Sequence, residues 1–339
     1  MNWGEEWTME KKCRGFYYRI ISTICLWFVF TQSSAQNIMK PVHLLTVGHD
    51  NDLFNLGRKG TDEYYTAGIY IQYGFTSSSR KNIIRKILPL PTNSNNSFFS
   101  IGITQWMYTP SDLETTRHNT IDYPYSGTLF AEFSRESIFH QRNLLASSLW
   151  LGVLGPSALG FQTQLLVHKI MALERPKGWD GQLPDYPVIN YSLSFERNLT
   201  GTGALKINGL ASGQAGSLLN TANAGLSFIF TNKEDNNFPD RYYNAGFDEK
   251  FSHLKFFIEV KPMIKFVATN AILEGGLFQK KNYYHIRSSD LERFVGSAEW
   301  SVGVHVKRFS VVYKQIFETR QIAEVHGHVY GSIIFGVNF

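Results

Sequence analysis

The stretch Tyr65-Thr-Ala-Gly-Ile-Tyr-Ile-Gln-Tyr-Gly-Phe75 decides the fold. Its odd positions, Tyr65, Ala67, Ile69, Ile71, Tyr73 and Phe75, are apolar, and Thr66, Gly68, Gln72 and Gly74 fall between them. Successive side chains of an extended chain point to opposite faces, so a period of two makes one apolar and one polar face. The pattern returns in both directions. Ile189, Tyr191, Leu193 and Phe195 alternate with Asn190, Ser192, Ser194 and Glu196. Leu254, Phe256, Ile258, Val260, Ile264 and Phe266 are opposed by Lys255, Glu259, Lys261 and Lys265. The final segment alternates from Val329 to Phe339.

Twelve segments read as strands: His43–Asp50, Tyr65–Phe75, Phe98–Met107, Gly127–Glu136, Asn143–Leu154, Val188–Leu199, Ala204–Ser212, Thr221–Phe230, His253–Val267, Phe294–Arg308, Ser310–Thr319 and Val325–Phe339. Polar and often long loops are expected between them, such as Lys81–Asn96 and Thr231–Lys250. A soluble sandwich would alternate too, with its apolar face inward. Strands near the roughly 10 residues that a tilted membrane crossing needs favour lipid instead, as does a terminal strand ending on Phe339. No stretch after residue 35 approaches 18 consecutive apolar residues, and mean hydropathy is −0.19. Lipid tolerates no unpaired backbone, so a spanning chain without spanning helices must close into a barrel.

The amino-terminal segment has another purpose. A basic stretch containing Lys11, Lys12, Arg14 and Arg19 precedes an apolar run from Ile20 to Phe30, and Ser33-Ser34-Ala35 offers small residues for cleavage. That order is a secretory signal peptide, expected over residues 1–35. Residues 36–339 are then one domain, an all-β transmembrane antiparallel β-barrel of about twelve strands in the outer membrane, expected to be a monomer. Cys13 and Cys25 both fall in the leader, so the mature chain has no thiol for a disulfide, a metal or a nucleophile. The formal charge of +5 is spread without a basic block, and no nucleic-acid partner is expected.

Gly160–Ala172 breaks the alternation and reads as a short helix inserted between two strands. Gln164 and His168, four residues apart, share one face of it. A histidine there, with Glu174 close in sequence, is a candidate general base. Asp50-Asn51-Asp52 closes the first strand and offers hard oxygen ligands of the type Ca²⁺ takes, although such residues also favour turns. Thr66 opens the second strand, where its type also suits β structure. No Gly-x-Ser-x-Gly elbow, His-Glu-x-x-His pair or phosphate-binding glycine loop occurs.

These residues resemble the lipid A 3′-O-deacylase (LpxR-like) family of outer-membrane barrels. The resemblance is carried by Gly152-x-x-Gly155-Pro156, Gly160, Gln164-x-x-x-His168 and Pro176-x-Gly178-Trp179-Asp180-x-Gln182-Leu183. Asn51-Asp52, Asp62-x-x-Tyr65-Thr66-x-Gly68, Tyr108-Thr109-Pro110 and Asp122-x-Pro124-Tyr125-Ser126-Gly127 extend it over nearly the whole mature chain. Tyr123 and Ser126 depart from the family's usual Arg and Ala. The resemblance implies a twelve-stranded barrel with its active site between the wall and a short helix in an extracellular-side loop. It implies Ca²⁺-dependent hydrolysis of an ester-linked acyl chain of lipid A in lipopolysaccharide. His168 would be the base, with Asn51, Asp52 and Thr66 at the catalytic and oxyanion region, and Asp52 and Glu174 would face the metal. The competing expectations are a non-catalytic structural or transport barrel, and a phospholipase acting on glycerophospholipids.

Overall fold

The computed structural model describes residues 42–56, 63–77, 83–90, 97–113, 121–139, 143–171, 176–200, 203–232, 254–276 and 286–339. The expected leader over residues 1–35, and Glu174, lie outside the described residues. The strands are β1 (His43–Asn51), β2 (Tyr64–Ser77), β3 (Ser97–Thr109), β4 (Ser126–Phe139), β5 (Asn143–Leu154), β6 (Tyr186–Asn198), β7 (Leu205–Gly216), β8 (Leu219–Thr231), β9 (Lys255–Asn270), β10 (Phe294–Val306), β11 (Phe309–Glu318) and β12 (His328–Asn338). Each pairs antiparallel with its neighbours in sequence, and β12 returns to β1 with Leu44 opposite Asn338 and Asn51 opposite Gly331. This is a closed barrel of the expected class, and closure leaves no strand edge unpaired.

The alternation sorts the two faces of the wall. Ile71, Ile103, Ile189, Ile264 and Phe335 stand exposed on the outside. Inside, Lys261 pairs with Glu299 at 2.9 Å and Lys265 with Glu318 at 2.7 Å, two ion pairs that cross between strands. Lumen-facing Phe130 and Trp150 join Tyr123, Leu183, Ile272 and Ile322, from four connections at one end, in a buried apolar cluster. The cluster fills that mouth. Below it lies a cavity of about 380 Å³ lined by Asp50, Gln72, Glu132 and Ser134 among others.

In one place the period-two reading fails. The β2–β3 register shifts between Tyr65 and Ala67, which makes Thr66 the extra residue of a β-bulge. The bulge reverses the facing of what precedes it. Tyr65 therefore points into the lumen, not outward with Ile69 and Ile71, and its hydroxyl donates to Asp50 Oδ2 at 2.8 Å. Its ring occupies the space a side chain on Gly68 would need: a Cβ there would lie 2.0 Å from the Tyr65 hydroxyl oxygen.

Among the described residues three short α-helices interrupt the strands: α1 (Ile83–Ile87), α2 (Gly160–Met171) and α3 (Ala271–Glu274). The helix expected over Gly160–Ala172 is α2. Lys81–Asn96, expected as a polar loop, instead contains α1 at Ile83–Ile87, which is too short to show a helical period among β-branched residues.

Candidate active site

The end of β1 divides its own acidic run. Asp50 faces the lumen, as its bond to Tyr65 shows. Asn51 turns the other way and caps a 3₁₀ turn over Asp52–Phe54, its Oδ1 accepting from Leu53 N at 2.7 Å. Asp52 is 1% exposed, and its Oδ2 accepts from Glu63 N at 3.1 Å. That bond ties the start of the β1–β2 connection to its far end.

Thr66 lies one residue before Ala67, which is paired with Asn51. It is buried, and its hydroxyl shares a 2.5 Å hydrogen bond with the Thr109 hydroxyl of β3. The backbone leading into it is strained, because Tyr64 holds a left-handed φ of 59°. Strain of this kind persists when packing over-determines it. Here the Tyr64 ring is held by Tyr123 at 5.0 Å and His328 at 5.7 Å between centroids. His328 Nε2 also lies 3.1 Å from the Tyr65 carbonyl oxygen, within the bulge.

A row of cross-strand partners runs outward from Asn51: Ala67 on β2, Met107 on β3 and Gly127 on β4. They share the outward parity of Ile71 and Ile103, so this row is the outer wall. α2 docks on its far end. A Cβ on Gly160 would lie 2.7 Å from the Trp179 ring and 3.0 Å from Gly127 Cα, so only glycine permits this approach. Gln105 of β3 donates to Ala158 O at 2.6 Å and pins the lead-in to α2. Trp179, in a 3₁₀ turn over Gly178–Gly181, packs with Ala67, Met107 and Tyr125.

α2 is amphipathic across the wall. Gln164 and His168, one turn apart, are buried, whereas Leu166 and Ile170 are exposed on the opposite side. Trp179 Nε1 donates to Gln164 Oε1 at 2.6 Å. A second cavity of about 250 Å³ opens beside this contact, bounded by Phe161, Pro176, Lys177, Trp179 and Asp180.

Asn51, Asp52 and Thr66 thus gather where β1 ends and β2 begins. His168 is buried on α2 one turn from Gln164, which accepts from Trp179, and Trp179 packs in the cluster that holds Ala67. Thr109 and Trp179 carry structural duties at the site that residue type alone did not assign. The paired glycines Gly127 and Gly160 were the legible sign of the close approach. A carboxylate, an amide and a hydroxyl are the hard oxygen donors suited to Ca²⁺. Among the described residues no three His, Cys, Asp or Glu side chains gather as a metal set. By donor chemistry the buried Asp52 carboxylate fits one charged position of a calcium site.

The family model described as outer membrane protein LpxR matches residues 21–339. The chain belongs to the LpxR family of outer-membrane proteins. The solved structure of LpxR from Salmonella typhimurium shares 17% identity, covers 87% of this chain and 99% of its own, and superposes with a TM-score of 0.70. The β-domain of the Bordetella autotransporter BrkA shares 9% identity over 89% of this chain and 99% of its own, with a TM-score of 0.40. No curated protein sequence matches. The LpxR family and the twelve-stranded fold place the chain in the outer membrane as a β-barrel.

Proposed function

We propose that this protein is a lipid A deacylase that hydrolyses an ester-linked 3′-acyloxyacyl chain of lipid A, using a water activated by His168. The observation that carries this reading is the placement of His168. It is buried on a helix docked to the outer wall, on the side shared with Ala67 and the Thr66 bulge, and not in the lumen. Chemistry on that face meets lipid in the plane of the membrane. The apolar cluster across the lumen mouth argues against the transport alternative.

In this reading His168 takes a proton from water as the oxygen attacks the ester carbonyl. The carbon–oxygen bond to the sugar then breaks, and the proton passes to the departing sugar oxygen. The products are a free carboxylic acid and a lipid A hydroxyl. Asp52 and Glu174 would hold Ca²⁺, with Asn51 and Thr66 adding neutral oxygens beside it. When bound, Ca²⁺ supplies positive charge where the carbonyl oxygen becomes negative. Gln164 and Trp179 fix the rotation of α2 and so the direction of the imidazole.

Mass spectrometry of lipid A from cells with and without the protein tests this directly. The expected product lacks one 3′-linked acyl group, disappears with His168→Ala, and disappears on calcium chelation in detergent extracts. Unchanged lipid A alongside accumulating lysophospholipid would replace this reading with a phospholipase.

A further inference from the structure

α1 stands at the end of the barrel remote from α2, in the β2–β3 connection, and takes no part in the proposed reaction. Its sequence continues as Ile83-Ile-Arg-Lys-Ile-Leu-Pro-Leu90. Ile84 and Leu88 are buried against Phe99, with Phe75, Phe133 and Leu149 around them. Phe75 and Phe99 are cross-strand partners and share the outward parity of Ile71, Ile101 and Ile103. α1 therefore does not enter the lumen. It folds back along the outside of the wall.

Its free side is the unusual part. Ile83 is 68% exposed and Ile87, one turn on, 46%. Two isoleucines held in water on a docked helix are unfavourable, because apolar surface gains by leaving water. Beside them come Arg85 and Lys86. Arg85 Cζ lies 5.5 Å over the Phe99 ring, and Arg135 is Phe99's cross-strand partner on β4. Arg135 is 3% exposed and donates to Leu88 O at 3.0 Å and Ser97 Oγ at 3.3 Å, both neutral acceptors. Two guanidinium groups thus flank one ring on the lipid side of the wall. A cation on that side is costly at mid-membrane and nearly free of cost at the interface. The combination is stable where acyl chains meet headgroups.

The leaflet follows from topology. Two of the five connections at this end, 140–142 and 307–308, span three residues or fewer, against one of six, 217–218, at the other end, which carries the longest connection, 155–185 with α2. Short turns mark the periplasmic side of outer-membrane barrels.

We propose that α1 is a docking element for the inner leaflet, with Ile83 and Ile87 among the acyl chains and Arg85 and Lys86 on the phosphate of an anionic phospholipid. The face continues the apolar belt of the barrel, and its charge complements that headgroup. The assignment is independent of the deacylase reading.

The test uses the full barrel in nanodiscs of phosphatidylcholine, with or without phosphatidylglycerol. Native mass spectrometry after release counts retained lipid. The expected result is several-fold enrichment of phosphatidylglycerol, lost in Arg85→Gln/Lys86→Gln with heat-modifiable migration of the barrel unchanged. An Ile83→Trp variant should give blue-shifted fluorescence quenched by brominated acyl chains and not by iodide. Equal retention of both lipids, enrichment that survives the double substitution, or iodide quenching of the indole introduced by Ile83→Trp would each overturn the proposal.

Discussion

The indole Nε1 of Trp179 donates to the Oε1 of Gln164 at 2.6 Å, with both side chains buried. One residue reaches the barrel wall through Ala67, and the other stands one helical turn from His168. The bond therefore couples the wall to the face of α2 that carries the proposed base. Removing one partner leaves the other buried without its hydrogen bond, which costs about 1–3 kcal/mol. Gln164→Leu should lower the rate of acyl release at least tenfold while heat-modifiable migration of the barrel stays normal. Trp179→Phe should act on the same step. The double variant should be no worse than the poorer single one, a non-additivity expected of residues acting through one contact.

For His168 the expectation is steeper. A positioned general base contributes typically 10²–10⁴-fold, so His168→Ala should lose about that factor with substrate affinity little changed. Single-turnover deacylation in detergent micelles measures it. A loss confined to KM would remove His168 from the proton-transfer role.

Much of this architecture could be read from residue order. Strand alternation is set by contact with lipid on one side and a polar lumen on the other, so it survives in segments such as Leu254–Phe266 with little ambiguity. The period of α2 was legible because Gln164 and His168 fall one turn apart in a chain otherwise alternating by two. The facing of Tyr65 was not. A bulge depends on pairing with β3, and nothing local in Tyr64-Tyr65-Thr66 announces the shift. The same holds for Asp50 and Asn51, which look like one ligand cluster and are sent to opposite faces of the wall. α1 was hidden because its stability comes from docking on Phe99 and not from its own five residues.

The bulge makes a prediction of its own. Thr66 and Thr109 share a buried hydroxyl pair, so Thr66→Val removes that hydrogen bond and takes an oxygen from the proposed calcium region. Thr66→Ser should keep most activity, and Thr66→Val should lose most of it. The weakened variant should also need more calcium for half-maximal rate. If Thr66→Val matched wild type at every calcium concentration, the hydroxyl would have only a structural part.

Gly160 tests the docking of α2 by sterics alone. An added Cβ would lie 2.7 Å from the Trp179 ring and 3.0 Å from Gly127 Cα, and the second contact is backbone that cannot swing aside. Gly160→Ala should lift the helix from the wall although alanine favours helix by about 1 kcal/mol over glycine. Activity should fall sharply while the barrel still folds. Limited proteolysis should cut the 155–185 connection faster than in wild type. Undiminished activity with unchanged protection would show that α2 tolerates displacement.

Tyr123 gives the mouth a pH limit. It lies in the β3–β4 connection outside the strands, and burial holds its hydroxyl well above the ordinary tyrosine range, with the nearby charge of Glu318 adding to the effect. The neutral form is thus favoured by folding. The sign follows: this contribution is complete below the unfolded value of about 10 and is lost as pH rises toward the folded one. The apolar cluster around Tyr123 should loosen above about pH 10 in wild type. Tyr123→Phe keeps the ring that packs on Tyr64 and removes the ionisation. Its midpoint for alkaline loss of tertiary signal should therefore move to higher pH, read by near-ultraviolet circular dichroism in detergent. Coincident midpoints for the two proteins would assign the alkaline limit to other groups in the barrel.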